Sequence, residues 1–125
     1  MAGGAVPPVL TAVSTIHVPI MLFGGLLDDM EPFKDQQTVF GTFTAEGPEH
    51  WLVALPHAGH FAFEDLCPAG WGGCAPGDLS QEQAHVLVNR WAGAFLLRYV
   101  TGDESYGRLL DPALASNDDE VQVTH

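Results

Sequence analysis

Cations are scarce in this sequence: 4 Lys and Arg stand against 16 Asp and Glu, a formal charge of −12 over 125 residues. So acidic a surface repels phosphate backbones and anionic lipid headgroups, which argues against nucleic acid as a partner. Cysteine is almost absent as well. Cys67 and Cys74 are the two present, with neither a CxxC nor a wider zinc spacing, so a structural zinc site is not expected. Their closeness favours a short disulfide-closed loop, with two free buried thiols as the alternative; a disulfide would favour an exported protein. No Lys or Arg follows Met1, and no charged residue occurs before Asp28, so no secretion signal is read at the start. The uncharged stretch 5–27 has the length of a membrane span. Pro7, Pro8, His17, Pro19 and Gly24-Gly25 interrupt it, and no transmembrane helix is expected.

What is present reads as one globular domain. The hydrophobic fraction of 46% is ordinary, and the length suits a single core. Two apolar runs stand out. His17-Val18-Pro19-Ile20-Met21-Leu22-Phe23 breaks at Gly24-Gly25 and delivers Asp28 and Asp29. Trp51-Leu52-Val53-Ala54-Leu55 breaks at Pro56 and delivers His60. Neither run alternates, which predicts strands covered on both faces, as in a parallel sheet. Strands are expected over 18–23 and 50–55.

Between them, Pro32 suits the first turn of a helix expected over 34–45. Its apolar face is Val39, Phe40 and Phe43, and Gly47-Pro48 stops it. After a loop rich in Gly, Pro and Cys over 67–77, Ser80 and Gln83 form a capping-box pattern. The stripe Ala84, Leu87, Val88, Trp91, Phe95 and Tyr99 then predicts a helix ended by Gly102. Residues 103–115 read as a terminal turn packing Tyr106, Leu109 and Leu110. The expected domain is 1–115, and 116–125 reads as an acidic, mobile tail. Strand, helix, strand, helix in sequence argues for an α/β architecture.

An acid off one strand end and an imidazole off the next is the arrangement that orients a histidine as a general base. Asp28 or Asp29 as the acid and His60 as the base are therefore the candidate catalytic residues. His57 and His60 make an HxxH pair, but a metal would need Glu64 or Asp65 to fold back, so neither metal nor cofactor is expected. Cys67 could be pictured as a nucleophile beside His60, yet nothing in the pattern lowers its thiol pKa.

Val18 to Asp28 resembles the strand and turn that carry the acidic triad member of α/β-hydrolases, and Pro56-His57-Ala58-Gly59-His60-Phe61 resembles the segment that carries their histidine. Pro32-Phe33, Asp35-Gln36-Gln37, Cys67 and the helix from Ser80 to Tyr99 look like the branch of dienelactone-hydrolase-like and platelet-activating-factor-acetylhydrolase-like enzymes. The resemblance covers about residues 8–111. It implies the C-terminal part of an α/β-hydrolase fold, with Asp28 as triad acid, His60 as general base and a small carboxylic ester or lactone as substrate. It departs from that pattern in lacking a Gly-x-Ser-x-Gly elbow and the strands that precede it. The expected function is thus a hydrolase segment without its nucleophile, or a catalytically silent fragment or small binding module on the same scaffold. In the family the first of these strands is interior and the second is the edge. Alone, the first strand would leave one side of its ladder open, inviting a complementary chain or self-association.

Overall fold

Pro19 has no N–H to give a ladder, and the first strand begins one residue after it. In the computed structural model, which describes residues 12, 15–43, 48–66, 79–115 and 121–125, β1 spans Ile20–Gly25. It starts and ends two residues later than expected, running through both glycines. Helix α1 is Phe33–Phe40, with Pro32 at its N-cap. It stops earlier than its pattern suggests: after the Gly41 N–H bonds the Gln37 carbonyl, the bonds tighten to i→i−3, with Thr42 N–H on Val39 and Phe43 N–H on Phe40. Strand β2 is His50–Leu55, as expected. A 3-10 turn follows over His60–Phe63.

Helix α2 spans Gln81–Tyr99. Its start is the expected capping box: the Ser80 side chain accepts the Gln83 N–H, and the Gln83 side chain accepts the Ser80 N–H. A second 3-10 segment, Glu104–Leu110, and the short helix α3, Pro112–Ala115, lead to β3, Gln122–Thr124.

β1 and β2 are parallel, in register from Ile20↔His50 to Gly25↔Leu55. β3 runs antiparallel to β2, pairing Val53 with Val123. The strand order is β1-β2-β3, which corrects two expectations. The end of the region read as a mobile tail is a strand: Val121 is buried and His125 stacks on Trp51 at 4.0 Å. With β3 in place, β2 is the central strand and not an edge, while β1 keeps one side of its ladder open among the described residues, as expected for this chain by itself. The Cys67–Cys74 pairing, the sequence before Ala12 and residues 116–120 lie outside the described residues.

The lack of alternation in β2 now has its cause. Trp51, Val53 and Leu55 join Leu87, Trp91 and Ala94 of α2 in one core, with Met21, Phe23 and Val123 packed against it. Leu52 and Ala54, on the other face, are buried too. On that face α1 closes over β1, where a Cβ on Gly24 would run into Gln36 and Phe33. The far end of α2 is tied back to β2: the Tyr99 hydroxyl donates to Glu49 and accepts the Trp51 indole N–H at 3.3 Å. The result is a small mixed sheet between helices, an α/β arrangement. No helix among the described residues is long and apolar enough to cross a membrane.

Candidate active site

Parallel pairing brings the C-terminal ends of β1 and β2 side by side, and the turn after each strand is bonded to its neighbour. Leu26 N–H donates to the Leu55 carbonyl at 3.1 Å, and Leu27 N–H to the Ala58 carbonyl at 3.0 Å. Gly25 makes this approach possible, since a Cβ there would collide with the Ala58 carbonyl. The two turns are thereby locked to each other before any functional side chain is considered.

Asp28 leaves the first turn and His60 opens the 3-10 segment after the second. His60 Nδ1 and Asp28 Oδ2 are 3.0 Å apart. The other carboxylate oxygen, Oδ1, accepts the N–H groups of Met30 at 3.0 Å and Glu31 at 2.7 Å. Three hydrogen bonds thus fix the acid. Its side chain is only 4% exposed, whereas that of His60 is 30% exposed. The acid is shielded and the base remains within reach of solvent.

An ionised carboxylate can only accept hydrogen bonds, so its partner Nδ1 carries the proton. Nε2 is then the ring atom available for proton exchange in the neutral imidazole. The ring is also steered by an edge-on contact with Phe61, 5.1 Å between centroids. Gln81, the first residue of α2, holds the same turn from behind: its Nε2 donates to the carbonyls of Phe61 at 3.1 Å and Glu64 at 2.6 Å. Leu79 N–H bonds the His57 carbonyl at 2.7 Å. The start of α2 therefore serves as a brace for the histidine turn.

Of the residues singled out in the sequence, Asp28 and His60 are brought together, while Asp29 and His57 are exposed. Gln81 and the backbone of Met30 and Glu31 were not singled out, and Gly25 only as part of the break after the first apolar run. Their roles depend on contacts across the fold, or on one dihedral choice in a turn, and no motif announces them. Ser80 Oγ belongs to the helix cap and Ser105 Oγ bonds Asp103 at 2.6 Å, so both hydroxyls are engaged locally. Among the described residues, no group of three or more His, Cys, Asp or Glu could hold a metal ion. Comparison with protein-family models, with curated proteins and with solved structures found no match. No family is assigned, and the site has to be read from its own geometry.

Proposed function

We propose that this chain is the acid-and-base segment of a carboxylic-ester or lactone hydrolase, acting on a serine supplied from outside it. The observation that carries this reading is the Asp28–His60 pair: 3.0 Å between Oδ2 and Nδ1, with Oδ1 anchored on two backbone N–H groups. Asp28 holds the imidazole in the tautomer with Nε2 unprotonated and stabilises the imidazolium when it forms. Nε2 takes the hydroxyl proton as the serine oxygen bonds to the ester carbonyl carbon. The same proton then goes to the leaving alcohol as the ester C–O bond breaks. In the second half-reaction Nε2 takes a proton from water, which attacks the acyl-enzyme, and returns it to the serine oxygen.

The test combines this chain with a hydrolase segment bearing a Gly-x-Ser-x-Gly elbow and follows p-nitrophenyl acyl ester turnover and fluorophosphonate labelling. Serine-dependent turnover is expected, abolished by His60→Ala and lowered by roughly 10³–10⁴-fold by Asp28→Asn, which keeps the shape but favours the wrong tautomer. The probe should label only the added segment. Turnover indifferent to both substitutions would make this chain a silent module, and labelling of this chain would place the nucleophile within it.

A further inference from the structure

Six histidines are spread through the chain, and one differs from the rest. His60 makes the one histidine–carboxylate pair found among the described residues. Asp28 fixes the proton on Nδ1, so the lone pair of the neutral ring stands on Nε2, where a free imidazole divides it between two nitrogens. That Nε2 has no hydrogen-bond partner among the described residues and is not buried, in contrast to the Nε2 of His50. No serine or threonine hydroxyl among the described residues bonds the ring, and those of Ser80 and Ser105 are turned to Gln83 and Asp103. Within the described residues, the nucleophile this site itself presents is the imidazole nitrogen.

We infer that His60 is a nucleophile in its own right: in this chain alone, Nε2 takes the acyl group of an activated acyl donor, a thioester or an aryl ester, and passes it to water. The Nε2 lone pair bonds the carbonyl carbon. The adduct collapses as the bond to the leaving group breaks, and a thiolate or phenolate departs with the electron pair. Nδ1 keeps its hydrogen throughout, so the acylated ring is a cation, and the shielded Asp28 carboxylate stands 3.0 Å from Nδ1 to stabilise it. Water then attacks the acyl carbon and the C–N bond breaks. Its electron pair returns to Nε2, the carboxylic acid leaves, and one proton goes to solvent to balance the departed anion.

The basicity of the leaving group sets the substrate class, because the adduct expels its weaker base. Thiols at about 8.5 and phenols at about 10 lie within a few powers of ten of imidazole at about 6.5. An alkoxide, close to water's conjugate base at about 15.7, lies far beyond that range. Activated donors therefore react, and alkyl esters do not. Alkyl esters belong instead to the serine reading, in which the protonated ring hands its proton to the leaving alcohol. The acyl–imidazole bond is hydrolysed, so it leaves no lasting label of the kind a serine gives. This inference needs the Asp28–His60 pair but no serine, so each reading can fail while the other stands.

The test uses the intact chain alone, with any free thiol blocked, and p-nitrophenyl acetate as donor. Release of p-nitrophenolate should fall at least roughly tenfold in His60→Ala, equivalent to about 1.36 kcal/mol of barrier, and equally in His60→Gln, with circular dichroism unchanged. In the pH range where the rate no longer varies, release in D₂O should match that in water, since no proton moves while the N–C bond forms. Ethyl acetate should not be turned over. Release that survives both substitutions overturns the proposal. So does a rate that drops in D₂O, or turnover of ethyl acetate, either of which would make His60 a base acting on water; these two measurements on the unaltered chain decide the matter if the variants fail to fold.

Discussion

Gly25 has no room for a side chain, and that single missing methyl sets the geometry of the site. The Ala58 carbonyl occupies the space a Cβ would need and also accepts the Leu27 N–H. Asp28 follows one residue later, already aimed at the second turn. The acid and the imidazole were legible in the sequence because each is a polar residue delivered just after an uncharged strand. The glycine was legible only as a break, since its partner lies thirty-three residues away. A different residue, His50, makes the molecule sensitive to acid. Its ring stacks on Phe43 with centroids 4.3 Å apart and planes 7° apart, and its Nε2 is buried without a hydrogen-bond partner. Burial, and then the charge of His125, lower its pKa. The unfolded chain therefore binds a proton here more readily than the folded one, so stability rises with pH. The contribution of His50 is full above the ordinary histidine pKa of about 6.5 and is lost as pH falls below it toward the depressed folded value. His50→Phe keeps the stack and removes the titration. Melting temperatures measured from pH 8 down to about pH 5 should fall more steeply in the wild type than in this variant; parallel curves would remove His50 from the acid response.

At the level of elements, the parts best marked in the sequence are those whose signals are local. The capping box of Ser80 and Gln83 is such a signal, and α2 begins where it says. β2 matches its expected bounds because Pro56 and the turn beyond it close an uninterrupted apolar run. β3 carried only a three-residue pattern next to acidic sequence, too short to stand against the reading of a solvated terminus. Its place depends on an edge of β2 that only the folded sheet presents, and on Val121, which is 2% exposed. The bounds of α1 were missed for a comparable reason: apolar periodicity carries on to Phe43, but beyond Gly41 the backbone bonds tighten into i→i−3 turns. Removing residues 121–125 would strip Val121 and Val123 from the core and reopen the β2 edge. The loss should be about 2–4 kcal/mol, from side-chain burial and the lost ladder, read by urea unfolding. β3 pairs with residues 52–54 and not with the turn that carries His60. The Nδ1 proton resonance of His60 should therefore survive the truncation under native conditions, while truncation of the Gln81 side chain should broaden or shift it.

For the molecule as a whole, charge matters more than any single ion pair. With 4 cations against 16 acids, one-to-one pairing with Lys and Arg still leaves twelve carboxylates uncompensated. Arg98 meets Glu104, but Glu104 is 81% exposed, and a pair so solvated contributes little. The dominant electrostatic effect is therefore diffuse repulsion among surface acids, which disfavours the compact state relative to an expanded chain. Added salt weakens that repulsion, because the Debye length shrinks from about 30 Å at 0.01 M to about 8 Å at 0.15 M. The Asp28–His60 contact is largely sheltered from this screening, since the acid is buried and its hydrogen bonds are short. Sodium chloride should accordingly raise the melting temperature between these two concentrations at pH 8. The rise should shrink near the isoelectric point of about 4.4, where little net charge remains to screen. A melting temperature that falls with salt at pH 8 would mean that attractive pairs outweigh repulsion in the folded chain.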